Sequence, residues 1–158
     1  MAHHYWLMKS EPSVYSIDDL YRDQRTAWDG VRNYQARNHM RAMAKGDLVL
    51  FYHSSSNPTG VAGVAEVLTA AYPDPTQFDR GSKYFDAKSP KDEPRWWLVD
   101  VGFVDRFNEP VLLSTIKTDK RLAEMVLVNN SRLSVQPVTE REFERVMELA
   151  GSNSRDEP

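Results

Sequence analysis

The sequence predicts one α+β domain, in which a small and strongly bent sheet, or pseudo-barrel, is covered by short helices. The composition is that of a folded chain, since the 158 residues are 41% hydrophobic and 27% charged, which is the usual globular range. The 4 Trp, 7 Tyr and 6 Phe exceed what a disordered chain carries. About six short apolar segments of strand length are interleaved with short helical segments. A chain of this length buries roughly 70% of its unfolded surface, which is enough for one core.

The first strand is predicted at residues 4–9 (HYWLMK), an aromatic-rich segment. Pro12 ends it, because proline has no N–H to donate to a strand ladder. Ser16 is predicted to begin a short helix, since Asp19 three residues later completes a capping box.

A second helix is predicted at residues 34–44, where three apolar side chains recur at the spacing of one buried stripe. They are Ala36, Met40 and Met43. Gly46 is expected to end this helix, because glycine readily adopts the backbone conformation that closes a helix C-terminus.

Two strands are predicted in the central part of the chain. Residues 48–53 (LVLFYH) are apolar on both faces, as in a central strand. Residues 54–60 (SSSNPTG) form a loop by their composition. Residues 61–68 form the next strand, in which Gly63 indicates a bulge or a close approach of two backbones.

Residues 70–94 are predicted to be mostly loop because they contain Pro73, Pro75, Pro90 and Pro94. A loop of that length in a compact domain is either functional or mobile. A strand is predicted at residues 95–104, with Trp97, Val99, Val101 and Phe103 on one face.

The C-terminal part is predicted to hold a short helical region at residues 114–125 and a closing strand at residues 133–138. Thr139 and Glu142 then form a second capping box that begins a helix. The apolar stripe of this helix is Phe143, Val146, Met147 and Ala150. We expect residues 1–150 to form the single domain, followed by a polar, disordered tail at residues 151–158.

Charge is distributed unevenly along the chain. There are 20 Lys and Arg against 23 Asp and Glu, a net charge of −3. Residues 30–46 nevertheless hold four cations and no acid, whereas residues 139–158 hold six acids and three Arg. Cations interleaved with aromatic and amide side chains are typical of proteins that bind unpaired nucleotides, so we predict phosphate contacts by Arg32, Arg37, Arg41 and Lys45. The alternatives are a solvated outer face, or partial burial of this segment against the 70–94 loop.

Residue content disfavours several other kinds of site. The chain has no Cys, which excludes disulfides, thiolate zinc sites and a cysteine nucleophile. Its four His form no common zinc motif, and its seven Gly form no phosphate-binding loop. No segment has the character of a signal peptide or the length of a transmembrane helix. We therefore expect a soluble, cytoplasmic protein with no metal, no cofactor and no membrane partner.

Polar residues follow two of the predicted strands, where the mouth of a pocket would form. Lys9 ends the first strand and is followed by Ser10 and Glu11, and His53 ends the central strand and is followed by Ser54. Neighbouring aromatic residues are more often part of a core than of a binding site. Side chains alternate along a strand, so at most one of Tyr52 and His53 is expected to face any one pocket.

Several motifs in order along residues 4–150 resemble those of the EVE domain family. The most specific is the eleven-residue segment 28–38 (WDGVRNYQARN). The others are residues 5–12 (YWLMKSEP), 46–47 (GD) with 51–54 (FYHS), 72–74 (YPD), the 97–101 strand and 132–138 (RLSVQPV).

The resemblance implies a PUA-like pseudo-barrel and a non-enzymatic reader of nucleic acid. Such a reader accommodates a modified base, here a modified cytosine of DNA or RNA, in an aromatic-lined pocket after the base is flipped or while it is unpaired. By position, the pocket residues it implies are Lys9, Ser10, Trp28, Asn33, Tyr34, Tyr52, His53, Ser54, Arg132 and Ser134. It also implies backbone contacts by Arg37 and Arg41.

Two other functions are compatible with the sequence. One is a small amidohydrolase acting on an acylated nucleoside, as in related PUA-like ASCH proteins, because residues 9–11 supply a lysine, a hydroxyl and a carboxylate. Alternate side chains of an extended segment point apart, so we expect these three not to share one pocket. Glu66 or Asp100 would then have to complete the set. The other alternative is an interaction module whose pocket is vestigial.

Overall fold

A computed structural model describes residues 4–130 and 132–153 of the chain. The strands in these residues are Tyr5–Ser10 (β1), Arg25–Ala27 (β2), Leu48–His53 (β3), Gly60–Val67 (β4), Tyr72–Pro73 (β5), Trp97–Leu98 (β6), Asp100–Leu112 (β7) and Val135–Val138 (β8). The α-helices are Ile17–Asp23 (α1), Tyr34–Ala42 (α2), Leu113–Thr118 (α3), Val126–Asn129 (α4) and Glu140–Asn153 (α5). Short 3-10 turns lie at Pro75–Phe78 and Lys120–Leu122.

Six strands form one curled sheet in the order β2-β7-β4-β3-β1-β8. β1 and β3 are parallel, and the other neighbouring pairs are antiparallel. β5 and β6 form a separate two-stranded ribbon. This α+β half-barrel confirms the predicted fold class and the PUA-like architecture.

Hydrophobic side chains cover both faces of the sheet because successive residues of a strand point to opposite sides. Met8 and Phe51 face one core cluster, which includes the buried residues of α1 and α2. Leu7 and Leu50 face the other, which includes side chains of α3, α4 and α5. All four are fully buried. Both faces are therefore occupied.

Side chains at the helix starts act as predicted. The Ser16 hydroxyl accepts from the Asp19 N–H (3.1 Å), and the Asp19 carboxylate accepts from the Ser16 N–H (2.9 Å). Thr139 and Glu142 form the same reciprocal pair at the start of α5 (3.1 and 3.0 Å). These bonds satisfy N–H groups that a helix leaves unpaired at its N-terminus.

Helix α2 buries the predicted stripe, since Ala36, Met40 and Met43 are at most 4% exposed. The helix nevertheless ends at Ala42, earlier than predicted. Gly46 lies beyond it, in a turn with a φ of 97°.

The central sheet follows the sequence prediction closely, and its edges do not. β3 has the predicted bounds, and the β4–β7 register shifts next to Gly63, where a Cβ would lie 2.3 Å from the Asp105 carbonyl oxygen. The predicted bulge with close backbone approach is therefore confirmed. β7 instead continues to Leu112, eight residues past its predicted end, and neither β2 nor β5 was predicted.

Helix α5 extends the folded part of the chain past the predicted boundary. Residues 151–153 are helical rather than part of a disordered tail. The rest of the predicted tail, residues 154–158, lies outside the described residues. Within residues 4–130 and 132–153, no helix is long and apolar enough to cross a membrane.

Candidate functional site

A cavity of about 510 Å³ opens where β1 ends. Its walls come from the end of β1 and the segment after it, the β2–α2 connection, the 70–94 loop and the residue before β8. The lining residues are Lys9, Ser10, Glu11, Val14, Tyr15, Thr26, Ala27, Trp28, Asp29, Gly30, Val31, Arg32, Lys83, Tyr84 and Ser134.

Three aromatic residues, Tyr15, Trp28 and Tyr84, line this cavity. The backbone N–H of Trp28 donates to the Val99 carbonyl (3.0 Å). The Trp28 indole packs edge-on against the Phe51 ring, with ring centroids 5.4 Å apart. Gly30 has a φ of 84°, and a Cβ there would lie 2.6 Å from the Tyr84 ring. Only glycine therefore lets the Tyr84 ring lie this close to the β2–α2 connection.

A buried ion pair fixes the wall that carries Tyr84. The Asp74 carboxylate is inaccessible to solvent and accepts from the Gly30 N–H (2.8 Å), the Thr76 N–H (2.8 Å) and hydroxyl (2.5 Å), and Nη1 of Arg32 (3.2 Å). Arg32 also donates to the Tyr84 carbonyl (3.1 and 2.7 Å), to Thr76 Oγ1 (3.0 Å) and to the carbonyl of the residue before it (2.9 Å). All five guanidinium N–H groups are thus used inside the protein.

Polar groups at the end of β1 also line the cavity. The Lys9 N–H donates to the Ser134 carbonyl (2.9 Å), which joins β1 to the segment before β8. The Ser10 hydroxyl donates to the Tyr15 carbonyl (2.6 Å). The Lys9 ammonium lies 5.5 Å from the centroid of the Tyr52 ring, and partial burial lowers the pKa of this lysine.

Asp29 lines the cavity between Trp28 and Gly30. Partial burial raises the pKa of its carboxyl, and the nearby Asp74 carboxylate adds to this effect. The positive charges of Arg32 and Lys83 act in the opposite direction. Asp29 is nevertheless exposed, so its carboxyl is accessible to a ligand.

Cations and aromatic rings alternate between α2 and the cavity. The Arg37 guanidinium lies over the Tyr34 ring (4.9 Å), and Tyr34 stacks on Trp96 with ring centroids 4.9 Å apart. Arg32 lies over both Trp96 (5.4 Å) and Tyr84 (5.5 Å). This stack connects the basic helix to the cavity wall.

The structure brings four of the predicted pocket residues to the cavity, namely Lys9, Ser10, Trp28 and Ser134. Six others do not line it, namely Asn33, Tyr34, Tyr52, His53, Ser54 and Arg132. Asn33 is the N-cap of α2, and its side-chain oxygen accepts from the Ala36 N–H (2.9 Å). Ser54 lies outside the lining and donates its N–H to the Ser10 carbonyl (3.0 Å). Arg132 is exposed.

Tyr52 and His53 both lie away from this cavity. Tyr52 is 2% exposed in the core cluster that contains Leu50, and burial raises its pKa to about 12. His53 Nε2 accepts from the Ile17 N–H at the start of α1 (3.1 Å). Burial lowers the pKa of this histidine, although the Asp18 carboxylate opposes the shift. Its role in this structure is to pair with a helix N-terminus.

His53 lines a second cavity of about 740 Å³, together with Ile17, Asp18 and Arg106. Arg106 pairs with Asp18 there (3.0 Å). The segment after β1 lies between the two cavities, because residues 11, 14 and 15 line the first and residues 12, 17 and 18 line the second.

Of the four predicted phosphate contacts, Arg32 is placed differently from the prediction. Its donors are bound to Asp74 and the 70–94 loop, so the burial considered as an alternative applies to this residue. Arg37 donates to the Arg95 carbonyl (2.8 Å), and Arg41 lies over the Trp97 ring (4.2 Å). Arg41 and Lys45 are exposed.

Sequence reasoning did not identify Asp29, Lys83 or Tyr84 as site residues. Asp29 lies within the most specific motif, so a signal for it was present. Lys83 and Tyr84 lie in the 70–94 loop, where no periodicity or motif pointed to them. The length of that loop was the only available indication that it was functional.

Residues 9–11 all line the cavity, contrary to the expectation from strand alternation. The reason is that β1 ends at Ser10 and the chain then turns. Glu66 and Asp100 do not line it, and Asp100 instead accepts from Arg25 (2.8 Å) and from the Tyr72 hydroxyl (2.6 Å). Among the described residues, no three His, Asp or Glu side chains are placed to hold a metal ion.

Comparison with known proteins identifies the family. The EVE domain matches residues 4–149. Human thymocyte nuclear protein 1 is 42% identical over 164 residues, covering 92% of this chain and 73% of its own length. A solved structure of a hypothetical protein from Leishmania major is 48% identical with a TM-score of 0.94, covering 98% of both chains. Human THYN1, solved in complex with 5-methylcytosine-containing DNA, is 41% identical with a TM-score of 0.87, covering 98% of this chain and 99% of that one. The chain belongs to the EVE domain family.

Proposed function

We propose that this protein binds a modified cytosine of DNA or RNA in the 510 Å³ cavity and does not transform it. The observation that carries the proposal is the THYN1 structure, in which a protein of the same fold and 41% identity was solved with 5-methylcytosine-containing DNA. The cavity supports it, because Trp28 and Tyr84 offer aromatic surface beside polar groups.

Binding in such a cavity requires the base to leave its stack. Unstacking costs a few kcal/mol for a paired base and less for an unpaired one. Stacking on an aromatic side chain returns about 1–3 kcal/mol per base. Phosphate contacts supply further, salt-sensitive affinity, and Arg41 and Lys45 are exposed for this role near the end of α2.

The preference for a methylated base is expected to be modest. One methyl group in an apolar pocket changes affinity by about 10- to 200-fold. A single-stranded oligonucleotide with one central 5-methylcytosine should therefore bind about tenfold or more tightly than the same oligonucleotide with cytosine.

Fluorescence anisotropy with this oligonucleotide pair tests the site through Trp28→Ala. Removing the indole should bring the ratio of the two affinities close to one, because the wall that holds the base is lost. Tyr21→Ala is the matched control, since Tyr21 is 49% exposed, packs edge-on against Phe103 and lies outside the lining. An unchanged methyl preference in Trp28→Ala contradicts the pocket assignment.

Trp28 also packs against Phe51, so its variant must be shown to fold. Circular dichroism and thermal unfolding provide that check. Tyr84→Leu tests the same wall through a side chain of the 70–94 loop and should reduce the methyl preference as well. A preference that survives in both folded variants excludes this cavity.

Hydrolysis of an acylated nucleoside is a second candidate function, and the shared lining position of residues 9–11 favours it. A lowered pKa suits Lys9 to accept a proton. The Ser10 hydroxyl, however, donates to a backbone carbonyl rather than to a base. Incubation of N4-acetylcytidine with a high concentration of protein decides between the two, because acetate release that Lys9→Ala abolishes would establish hydrolysis. Absence of acetate excludes this substrate.

A further inference from the structure

We propose that the Asp29 carboxylate is the hydrogen-bond acceptor that selects a 4-aminopyrimidine over a 4-oxopyrimidine in the 510 Å³ cavity. The inference rests on the proposed function, because it concerns how the same site reads the base. It distinguishes 5-methylcytosine from thymine, which carry the same 5-methyl group. Contact with the methyl group alone cannot separate these two bases.

The backbone on both sides of Asp29 is fixed. The Trp28 N–H donates to the Val99 carbonyl (3.0 Å), and the Gly30 N–H donates to the buried Asp74 carboxylate (2.8 Å). The Asp29 N–H donates to the Ala27 carbonyl (3.1 Å). The carboxyl is therefore held at the cavity wall directly after the indole that we propose stacks on the base.

Several other polar side chains of the lining are less suited to accept a hydrogen bond from the base. The Arg32 donors are all used within the wall, and the Lys9 ammonium can only donate. The Ser10 hydroxyl donates to the Tyr15 carbonyl and offers only a neutral oxygen as an acceptor, which forms a weaker hydrogen bond than a carboxylate. Two lining residues carry a carboxylate, Asp29 and Glu11, and of these Asp29 directly follows Trp28 in the chain.

The chemistry of the two bases gives opposite outcomes at this carboxylate. The 4-amino group of cytosine donates, and aspartate or glutamate is its usual acceptor in proteins. The 4-oxo group of thymine is itself an acceptor, so it would face the carboxylate without a proton between them. Partial burial and the Asp74 carboxylate raise the pKa of Asp29, and a hydrogen-bond donor from the ligand would favour its charged form.

Three single-stranded oligonucleotides test the proposal, with 5-methylcytosine, cytosine or thymine at one central position. The wild-type protein should bind the 5-methylcytosine strand at least about tenfold more tightly than the thymine strand. Asp29→Asn presents an amide that can donate to the 4-oxo group. It should therefore lower this ratio by about tenfold while the ratio of 5-methylcytosine to cytosine is kept.

Matched variants separate hydrogen bonding from charge. Asp29→Asn removes a negative charge and is expected to raise the affinity for every strand. The ratio of the affinities for the 5-methylcytosine and thymine strands is not changed by that uniform increase. Asp92→Asn removes a charge from an exposed position of the 70–94 loop outside the lining and should leave the ratio unchanged. Asp29→Ala removes the acceptor without adding a donor. The ratio of the affinities for the 5-methylcytosine and thymine strands should therefore fall in this variant, but not below one.

The outcomes separate the inference from the function on which it rests. A methyl preference that is kept in Asp29→Asn and Asp29→Ala, together with an unchanged 5-methylcytosine to thymine ratio, overturns the role of Asp29 alone. A wild-type protein that binds all three strands equally overturns the proposed function and this inference together. Thermal unfolding of each variant confirms that the comparison is made between folded proteins.

Discussion

Arg32 and Asp74 are the residues on which the cavity wall depends. They are 42 positions apart in the chain, and their pairing attaches the 70–94 loop to the connection that carries Trp28. Breaking a buried ion pair by removing one partner is costly, because the other charge is left without compensation. The pair therefore acts on stability and on the site at once.

Asp74→Asn should lower the free energy of unfolding by about 3 kcal/mol, the lower end of the range for such pairs, since Arg32 keeps some solvent contact. Urea denaturation measures this change. Glu148→Gln is the control, because Glu148 is 60% exposed and its surface pairs with Arg121 (3.6 Å) and Arg145 (3.0 Å) should each contribute less than about 1 kcal/mol. Equal losses in the two variants would contradict the structural role of Asp74.

Gly30→Ala should destabilise the protein by about 2 kcal/mol or more, because the new Cβ meets the Tyr84 ring and the backbone φ is positive. Gly151→Ala is a matched glycine substitution, in a helix and with no atom within 4 Å of the new Cβ. It should instead stabilise the protein by up to about 1 kcal/mol. Thermal unfolding of both variants checks the two signs.

The extent to which the site could be predicted also depends on individual residues. Lys9 and Ser10 could be placed at a pocket because a strand end was recognisable from the sequence. The role of Arg32 could not, because nothing near it in the sequence marks Asp74 as its partner. The sequence does not distinguish an arginine that binds phosphate from one whose guanidinium is paired inside the protein, because the paired residue is distant in the chain.

At the scale of elements, the end of β3 and the start of α1 are joined through one imidazole. His53 accepts from the Ile17 N–H only while Nε2 is unprotonated. The unfolded chain takes up this proton near the ordinary pKa of 6.5, whereas burial lowers the pKa in the folded protein. The stabilising contribution of neutral His53 is therefore lost as the pH falls below about 6.5.

His53→Gln should remove this part of the pH dependence. The difference in free energy of unfolding between the wild type and the variant should shrink from pH 7.5 to pH 5.5. Only the wild type has an imidazole at position 53 that must stay neutral in the folded state. Urea denaturation at the two pH values measures it. Parallel curves for the two proteins would show that His53 does not titrate in this way.

Elements differed in how well the sequence predicted them. β3 and the two capping boxes have strong local signals, and all were predicted correctly. β2 has three residues and β5 has two, which is too short for an alternating pattern to be visible. Their existence depends on pairing with β7 and β6, which is a tertiary effect.

For the whole molecule, the net charge of −3 conceals a local positive surface. Arg32 is neutralised by Asp74, so the segment 30–46 presents three cations rather than four, namely Arg37, Arg41 and Lys45. If these bind phosphates, affinity for single strands should fall as salt rises.

Arg41→Gln and Lys45→Gln should each reduce the slope of log K against log salt concentration by about 0.7, the single-strand value per phosphate contact. The ratio between methylated and unmethylated strands should be unchanged, since neither residue lines the cavity. Lys117→Gln, on α3 at the other face of the sheet, should alter neither quantity. A loss of slope in Lys117→Gln equal to that in Arg41→Gln would contradict a localised phosphate surface.

The pairing of β1 with both β3 and β8 has a consequence for how the protein is made. The cavity lining begins at Lys9 and ends at Ser134, directly before the last strand. During synthesis, β1 cannot complete its pairing in the sheet until both of its neighbours, β3 and then β8, have been made. A nascent chain that still lacks the segment leading into β8 also lacks Ser134, so the cavity is complete only after that segment has been synthesised and has paired with β1.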